Sequence, residues 1–169
     1  ECIKTNVLGG MNVINASIAN KVKKVVALST DKASSPINLY GASKLCSDKL
    51  FTSQVNNNLN TTFSVVRYGN VLGSRGSIIP FFLSLKDKSE LPITHPEMTR
   101  FFLTLEDAVE FVSFAFQNMT GGEIFVKKLN AIKITDLAKL INPLAQHKIV
   151  GIREGEKIHE QMIGVDDSM

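Results

Sequence analysis

Ser29-Thr30-Asp31-Lys32 is followed eight residues later by Tyr40-Gly41-Ala42-Ser43-Lys44. These two stretches place a carboxylate, two amines and a phenol close together in the chain. Tyr40 and Lys44 stand four apart, the spacing that puts side chains on one helix face. A nearby ammonium favours the phenolate form of a tyrosine. Such a pair can take a proton from an alcohol while hydride leaves the same carbon. Asp31 and Lys32 then offer an acid and a base for protons beside the resulting ketone. The spacing alone is weak. Asp31 read by itself is a turn or cap residue, and Lys32 by itself a solvated loop lysine. The Tyr–Lys pair gains weight from its place, just after the apolar run Val22 to Leu28 and its polar end. In open α/β sheets, ligands bind at the carboxyl ends of the strands.

The elements that must position these groups alternate along the chain. Apolar residues at helical spacing (Ile3, Val7, Leu8, Met11, Ile14, Ile18) predict a helix over 3–19. A strand follows at 22–29, then a loop to residue 37. A long helix is expected over about 38–57, closing in the polar run Asn56-Asn57-Asn58. A second strand covers 62–68, a glycine-rich loop 69–77, and a helix 78–87. Near-continuous apolar strands between helices predict a parallel sheet buried on both faces. Past residue 88 the pattern shortens, with strands expected at 91–94, 100–103 and 123–127. Helices are expected at 105–118, 134–141 and 156–163, the second capped by Thr135-Asp136. The phenylalanines 111, 114 and 116, with Phe81 and Phe82, read as core. The fold class is therefore α/β: the C-terminal portion of a Rossmann-like parallel-sheet domain plus a smaller mixed α/β substrate-binding region. The division falls at residues 1–88 and 89–169.

The bulk properties restrict partners. The 169 residues are 44% hydrophobic and carry a net charge of +3, so one domain with a real core is expected. Lys23-Lys24 and Lys127-Lys128 are the adjacent basic pairs, which leaves no nucleic-acid arm. No apolar run reaches membrane-spanning length, so no membrane partner is expected. Cys2 and Cys46 fit neither a disulfide framework nor a metal site, and reduced thiols in a cytoplasm are the simplest reading. His95, His147 and His159 lack ligand spacing, so no metal is expected.

The two stretches, together with the segments Lys4 to Gly9, Arg67 to Ser77, Met98 to Phe102, Gly121 to Val126 and Gly151 to Glu160, resemble the extended short-chain dehydrogenase/reductases. More narrowly they are similar to the configuration-inverting UDP-N-acetylglucosamine 4,6-dehydratases, which begin bacterial pseudaminic acid synthesis for flagellin glycosylation. The pair Asp31-Lys32 is the more specific sign. Related retaining dehydratases carry Glu after the Asp, and simple epimerases usually lack both residues. Relatives in membrane-anchored polysaccharide synthesis often carry Met where Tyr40 stands.

The resemblance implies a mechanism. Tyr40, with Lys44, takes the C4 hydroxyl proton while hydride passes to NADP (NAD being the alternative). Lys32 removes the C5 proton, Asp31 assists loss of the C6 hydroxyl, hydride returns to C6, and a proton returns to C5 from the opposite face. Ser29, Tyr40, Lys44 and Tyr68 would hold the cofactor. Arg100 and Arg153 would flank the UDP diphosphate, since arginine forks two donors onto phosphate; Glu156 would accept a ribose hydroxyl and Asn70 touch phosphate. Arg67 reads as structural, and Arg75 as either near substrate or a surface charge. UDP-N-acetylglucosamine is the implied substrate and a homo-oligomer the implied assembly.

The chain opens on Glu1 in a helical pattern and lacks the Gly-x-x-Gly-x-x-Gly turn that binds the dinucleotide pyrophosphate. It reads as N-terminally truncated, and these residues alone are expected to bind NADP weakly and to lack turnover. A UDP-sugar 4-epimerase and a non-catalytic nucleotide-binding module are the competing readings.

Overall fold

The β-branched pair Val25-Val26 and the run Thr62 to Tyr68 form the two central strands, because such side chains pack well on a pleated surface. The computed structural model describes residues 1–57 and 60–167, so Asn58 of the expected polar run lies outside the described residues. In chain order the elements are a π-helical turn Ile3–Leu8, α1 (Gly9–Ala19), β1 (Lys24–Thr30), a 3₁₀ turn Asp31–Ala33, α2 (Leu39–Thr52), a 3₁₀ turn Ser53–Asn57, β2 (Thr62–Tyr68), β3 (Asn70–Val71), α3 (Ile78–Ser84), β4 (Glu90–Ile93), β5 (Thr99–Leu103), α4 (Leu105–Asn118), β6 (Ile124–Val126), β7 (Ala131–Lys133), α5 (Ile134–Ile141), β8 (Gln146–Ile149) and a 3₁₀ turn Val165–Asp167.

The chain divides into two compact units that interleave, so one cut near residue 88 does not separate them. The first comprises Glu1–Tyr68, Glu106–Lys127 and Gln161–Met169. Its sheet has the order β1-β2-β6, all parallel. Register puts Ser29 opposite Arg67 and Thr30 opposite Tyr68. The two-residue side-chain period then separates two faces. Val25, Ala27, Phe63 and Val65 pack with Ile14 of α1 and Phe51 of α2. Val26, Val66 and Tyr68 pack with Phe111 and Ala115 of α4. A sheet covered on both faces is what the apolar strands predict. Burying a Phe or Val side chain stabilises by about 1.5–3 kcal/mol.

The second unit comprises Gly69–Leu105 and Lys128–Glu160. There β5 pairs parallel with β3 and antiparallel with β7, and β4 pairs parallel with β8. Phe82, Leu91, Ile93, Met98, Ile134 and Ala138 make its core.

Four sequence expectations change. Residues 156–163 form bends and irregular chain rather than a helix. Gly155 takes a positive φ of 72°, and the Ile158 carbonyl accepts Thr99 N and an Arg100 guanidinium nitrogen instead of serving a helical ladder. Thr135-Asp136 does not cap α5. The helix starts at Ile134, whose N–H donates to Met98 O at 2.9 Å, and Lys133 precedes it without a side-chain cap. Phe111 and Phe82 are core, but Phe81, Phe114 and Phe116 are exposed. Phe114 packs edge-on against Phe125, and Lys24 lies over the Phe116 ring. Finally, β3, β7 and β8 carry no apolar alternation and were not expected as strands.

Entry into β6 is set by Glu123. Its carboxylate accepts the Ser64 hydroxyl at 2.5 Å, the Thr120 and Gly121 N–H groups at 2.8 Å each, and the Thr120 hydroxyl. Burial alone would raise this carboxyl, but the hydrogen bonds outweigh it and lower the group from 4.5 to about 2. A depressed carboxyl contributes stability above its unfolded value and loses it as pH falls through the folded one. Glu123→Gln is therefore expected to be less stable than the parent at neutral pH. In urea denaturation the difference should shrink as pH falls from 4.5 to about 2; a gap independent of pH in that range contradicts this account.

Candidate active site and anion site

The first group of site residues lies in the first unit, at the carboxyl end of β1. The strand ends at Thr30, whose side chain accepts from Lys32 N and so starts the 3₁₀ turn Asp31–Ala33. The Thr30 hydroxyl also donates to Asp31 Oδ1 at 3.0 Å. Lys32 Nζ reaches the same oxygen at 3.0 Å. Asp31 has 0% side-chain exposure and Lys32 31%. Asp31 Oδ2 is buried with no hydrogen-bond partner. A buried carboxylate oxygen without a donor is costly to keep, and such an atom is a ready acceptor for a ligand hydroxyl.

Beyond the turn, Ser35 adopts a positive φ of 45°, a strained conformation for a non-glycine residue that costs on the order of 1–3 kcal/mol. Asn38 then caps α2, its Oδ1 accepting from Gly41 N at 2.8 Å. Tyr40 leads the helix and is 43% exposed. One turn on, Lys44 Nζ donates to Leu28 O at 2.5 Å, leaving two of its three protons for other acceptors. Burial pushes the Lys44 ammonium down, with the charge of Asp48 opposing. Tyr68, at the end of β2, has its phenol pushed up by burial and then by the charge of Tyr40. Register with Thr30 puts Tyr68 at the same strand end as the Asp31–Lys32 turn. The structure thus brings Asp31 together with Lys32, and Tyr40 with Lys44 and Tyr68.

Ser29 is placed differently. It is buried, and its hydroxyl donates to Asp48 Oδ2 at 2.8 Å, on the α2 face of the sheet. Sequence reading passed over Asp48, Thr30 and Asn6. Asn6 Nδ2 donates to Ser43 Oγ at 2.9 Å, and Ser43 Oγ to Tyr40 O at 2.8 Å. The one available signal was the repeat of polar residues at 40, 44 and 48 on the α2 face. Arg67 is structural as expected: fully buried, with Nη2 on Asp48 Oδ2 at 3.1 Å and Nη1 on Asp167 Oδ2 at 2.6 Å and Met162 O at 3.0 Å.

The second group lies in the second unit. Arg100 Nη1 donates to Thr99 O at 2.7 Å and Ile158 O at 3.1 Å, and Nη2 to Glu156 Oε1 at 3.4 Å. Glu156 Oε2 accepts Arg153 N at 3.3 Å, while the Arg153 side chain is exposed. Arg100, Glu156 and the Arg153 backbone therefore form one cluster. Asn70 Nδ2 donates to Phe101 O, the residue after Arg100, at 3.1 Å. Arg75 is exposed on the loop between Gly73 and Gly76.

An exposed phenol and a half-satisfied ammonium at a strand end fit the nicotinamide-ribose end of a dinucleotide. The reactive turn itself rests on α2 through Gly41, where an added Cβ would meet Lys32 O at 2.3 Å and Pro36 Cβ at 3.0 Å. Gly41→Ala must move the backbone of the Asp31–Lys32 turn, and is expected to cost about 1–3 kcal/mol. Thermal melting checks this; a Tm equal to the parent's contradicts the packing described.

Comparison with known proteins gives three relevant likenesses. A UDP-N-acetylglucosamine 4,6-dehydratase (inverting) of Campylobacter jejuni is 58% identical over 99% of this chain and 52% of its own length. A UDP-glucose 4-epimerase of Rickettsia canadensis is 46% identical over 99% of this chain and 51% of its own. The X-ray structure of Pen from Bacillus thuringiensis superposes with a TM-score of 0.90 at 39% identity, covering 97% of this chain and 53% of that one. The chain thus spans about half the length of the curated relatives it matches. The family described as Polysaccharide biosynthesis protein matches residues 1–169 in full, and the chain belongs to it.

Proposed function

We propose that these residues form the reactive portion of a nicotinamide-dependent UDP-N-acetylglucosamine 4,6-dehydratase that inverts C5, working in the cytoplasm in the synthesis of pseudaminic acid for flagellin glycosylation. The observation that carries this reading is the Asp31–Lys32 pair, with one carboxylate oxygen on the ammonium and the other buried and open. The likeness to the Campylobacter jejuni dehydratase supports the same substrate.

A bound nicotinamide coenzyme, NADP by resemblance, would supply a reversible hydride acceptor; Tyr40, Lys44 and Tyr68 would hold it. Tyr40 accepts the C4 hydroxyl proton, and Lys44 stands one turn further on the same face of α2. With C4 a ketone, the C5–H bond is acidified. A proton moved along the 3.0 Å contact from Lys32 Nζ to Asp31 turns the ion pair into a neutral amine and a neutral acid. Lys32 then takes the C5 proton, and Asp31 gives its proton to the departing C6 hydroxyl as water. That returns the pair to its charged form. The hydride taken from C4 would then return to C6 as a solvent proton reaches C5 from the opposite face, which leaves the coenzyme as it began, and Tyr40 gives its proton back to solvent. Protons balance: the C4 hydroxyl and C5 each release one, and the water and C5 each take one. In the second unit, Arg100, Arg153 and Asn70 are assigned to the diphosphate and Glu156 to a ribose hydroxyl. Ser29 acts through Asp48 rather than on the cofactor directly. The working assembly is proposed to be a homo-oligomer, and these 169 residues alone to lack turnover.

The Rickettsia canadensis relative favours a second reading, a UDP-sugar 4-epimerase. Both are tested in a chimaera that joins these residues to the remaining segments of the Campylobacter jejuni relative. Mass spectrometry should find a product lighter by one water, with one solvent deuterium at C5 in D₂O. Lys32→Ala and Tyr40→Phe should each lower turnover by about 100-fold or more. A product of unchanged mass supports the epimerase, and normal turnover in both variants overturns the enzymatic assignment.

A further inference from the structure

Among the buried acids that the mechanism leaves unused, Asp48 lies nearest the Tyr40–Lys44 pair along the chain. Asp48 is 2% exposed and lies one turn beyond Lys44 and two beyond Tyr40, on the same face of α2. Its Oδ2 receives the Ser29 hydroxyl at 2.8 Å and Arg67 Nη2 at 3.1 Å. Ser29 and Arg67 are register partners on β1 and β2, so both donors arrive from the same level of the sheet. The neighbouring residue of β1, Leu28, gives its carbonyl to Lys44 Nζ at 2.5 Å. Two successive residues of β1 therefore anchor two successive turns of α2, by an ammonium and by a carboxylate.

Asp48 also carries charge that Lys44 feels. Lys44 faces the Leu28 carbonyl from β1 and has Tyr40 and Asp48 on its own helix. Asp48 faces Ser29 from β1 and Arg67 from β2, and Arg67 is shared with Asp167 of the C-terminal turn. Burial disfavours both charged forms, and each of the two groups opposes that effect in the other. An ion pair with Arg67 alone would give Asp48 a structural part only. The Lys44 coupling and the bond to the strand that leads into Thr30-Asp31-Lys32 go further.

We propose that Asp48 is a positioning residue: its buried carboxylate fixes the Tyr40–Lys44 face of α2 to the end of β1 and presents a negative charge to Lys44 one helical turn away. This rests on the reading of Lys44 given above.

Asp48→Asn keeps the size and an acceptor for Ser29 but removes the charge. In the 169-residue chain with ¹⁵N- and ¹³C-labelled lysine, NMR titration should find the Lys44 midpoint lowered by about half a pH unit or more against the parent. A folded Asp48→Asn chain with an unshifted Lys44 midpoint overturns the proposal. Where that variant does not fold, the reciprocal measurement decides. Lys44→Met should raise the titration midpoint of the Asp48 carboxyl, since the coupling is mutual, and an unchanged Asp48 midpoint overturns the proposal equally. Neither titration depends on turnover. Failure here is thus distinct from failure of the dehydratase reading, which the chimaera tests.

Discussion

One buried guanidinium organises the reactive end of the first unit. Arg67 has no exposed surface and must find anions, because a charge removed from water without a partner costs several kcal/mol. It finds Asp48 on α2 and Asp167 on the C-terminal turn. Asp48 passes the constraint to Ser29 of β1. Asp167 passes it to Gly164, whose N–H it accepts at 2.9 Å. A Cβ on Gly164 would lie 3.2 Å from Ser34 Oγ and 3.4 Å from Ser35 Oγ, so this turn lies against the residues that follow Asp31 and Lys32. The segment 29–35 is therefore held at both ends by one charge network. Removing one partner of such a pair is expected to cost about 3–5 kcal/mol, which makes the network a requirement of the fold as well as of the site.

This arrangement explains how a short, strained turn can carry an unsatisfied acid. Asp31 Oδ2 and the positive φ of Ser35 are both unfavourable taken alone. They persist because the strand end, the α2 cap and the C-terminal turn leave the chain no other path. Under the proposed mechanism, a proton exchanged across the Asp31–Lys32 contact would generate an amine and an acid without net charge. In the second unit, two carbonyls fix one guanidinium nitrogen of Arg100, and Glu156 meets the other at the longer distance of 3.4 Å.

Much of this was legible in the residues. The apolar runs gave β1, β2 and the parallel sheet, and Tyr40 with Lys44 on one helix face followed from spacing alone. Helix α4 and the span of α5 also agree with the pattern. What escaped was set by tertiary partners. Residues 156–163 carry a helical composition, but the Ile158 carbonyl is claimed by Thr99 and Arg100 of β5. The strands β7 and β8 are polar or exposed edges, so alternation had nothing to mark. The capping of α5 was misread because Ile134 is drawn into the core and already opens the helix ahead of Thr135. Asp48 gave only its spacing from Tyr40 and Lys44 as a sign, since an acid in mid-helix reads as surface until Arg67 is seen opposite it.

The central claim is that the Arg67 network couples the C-terminal turn to the reactive turn. Native-state hydrogen exchange on Asp167→Asn addresses it directly. The amides of Ser34 and Asp167, which donate to Asp31 O and Gly164 O at 3.1 Å each, should lose protection together. The expected loss is about tenfold or more, while the central amides of β2 stay protected. Loss at position 167 with Ser34 unchanged would contradict the account.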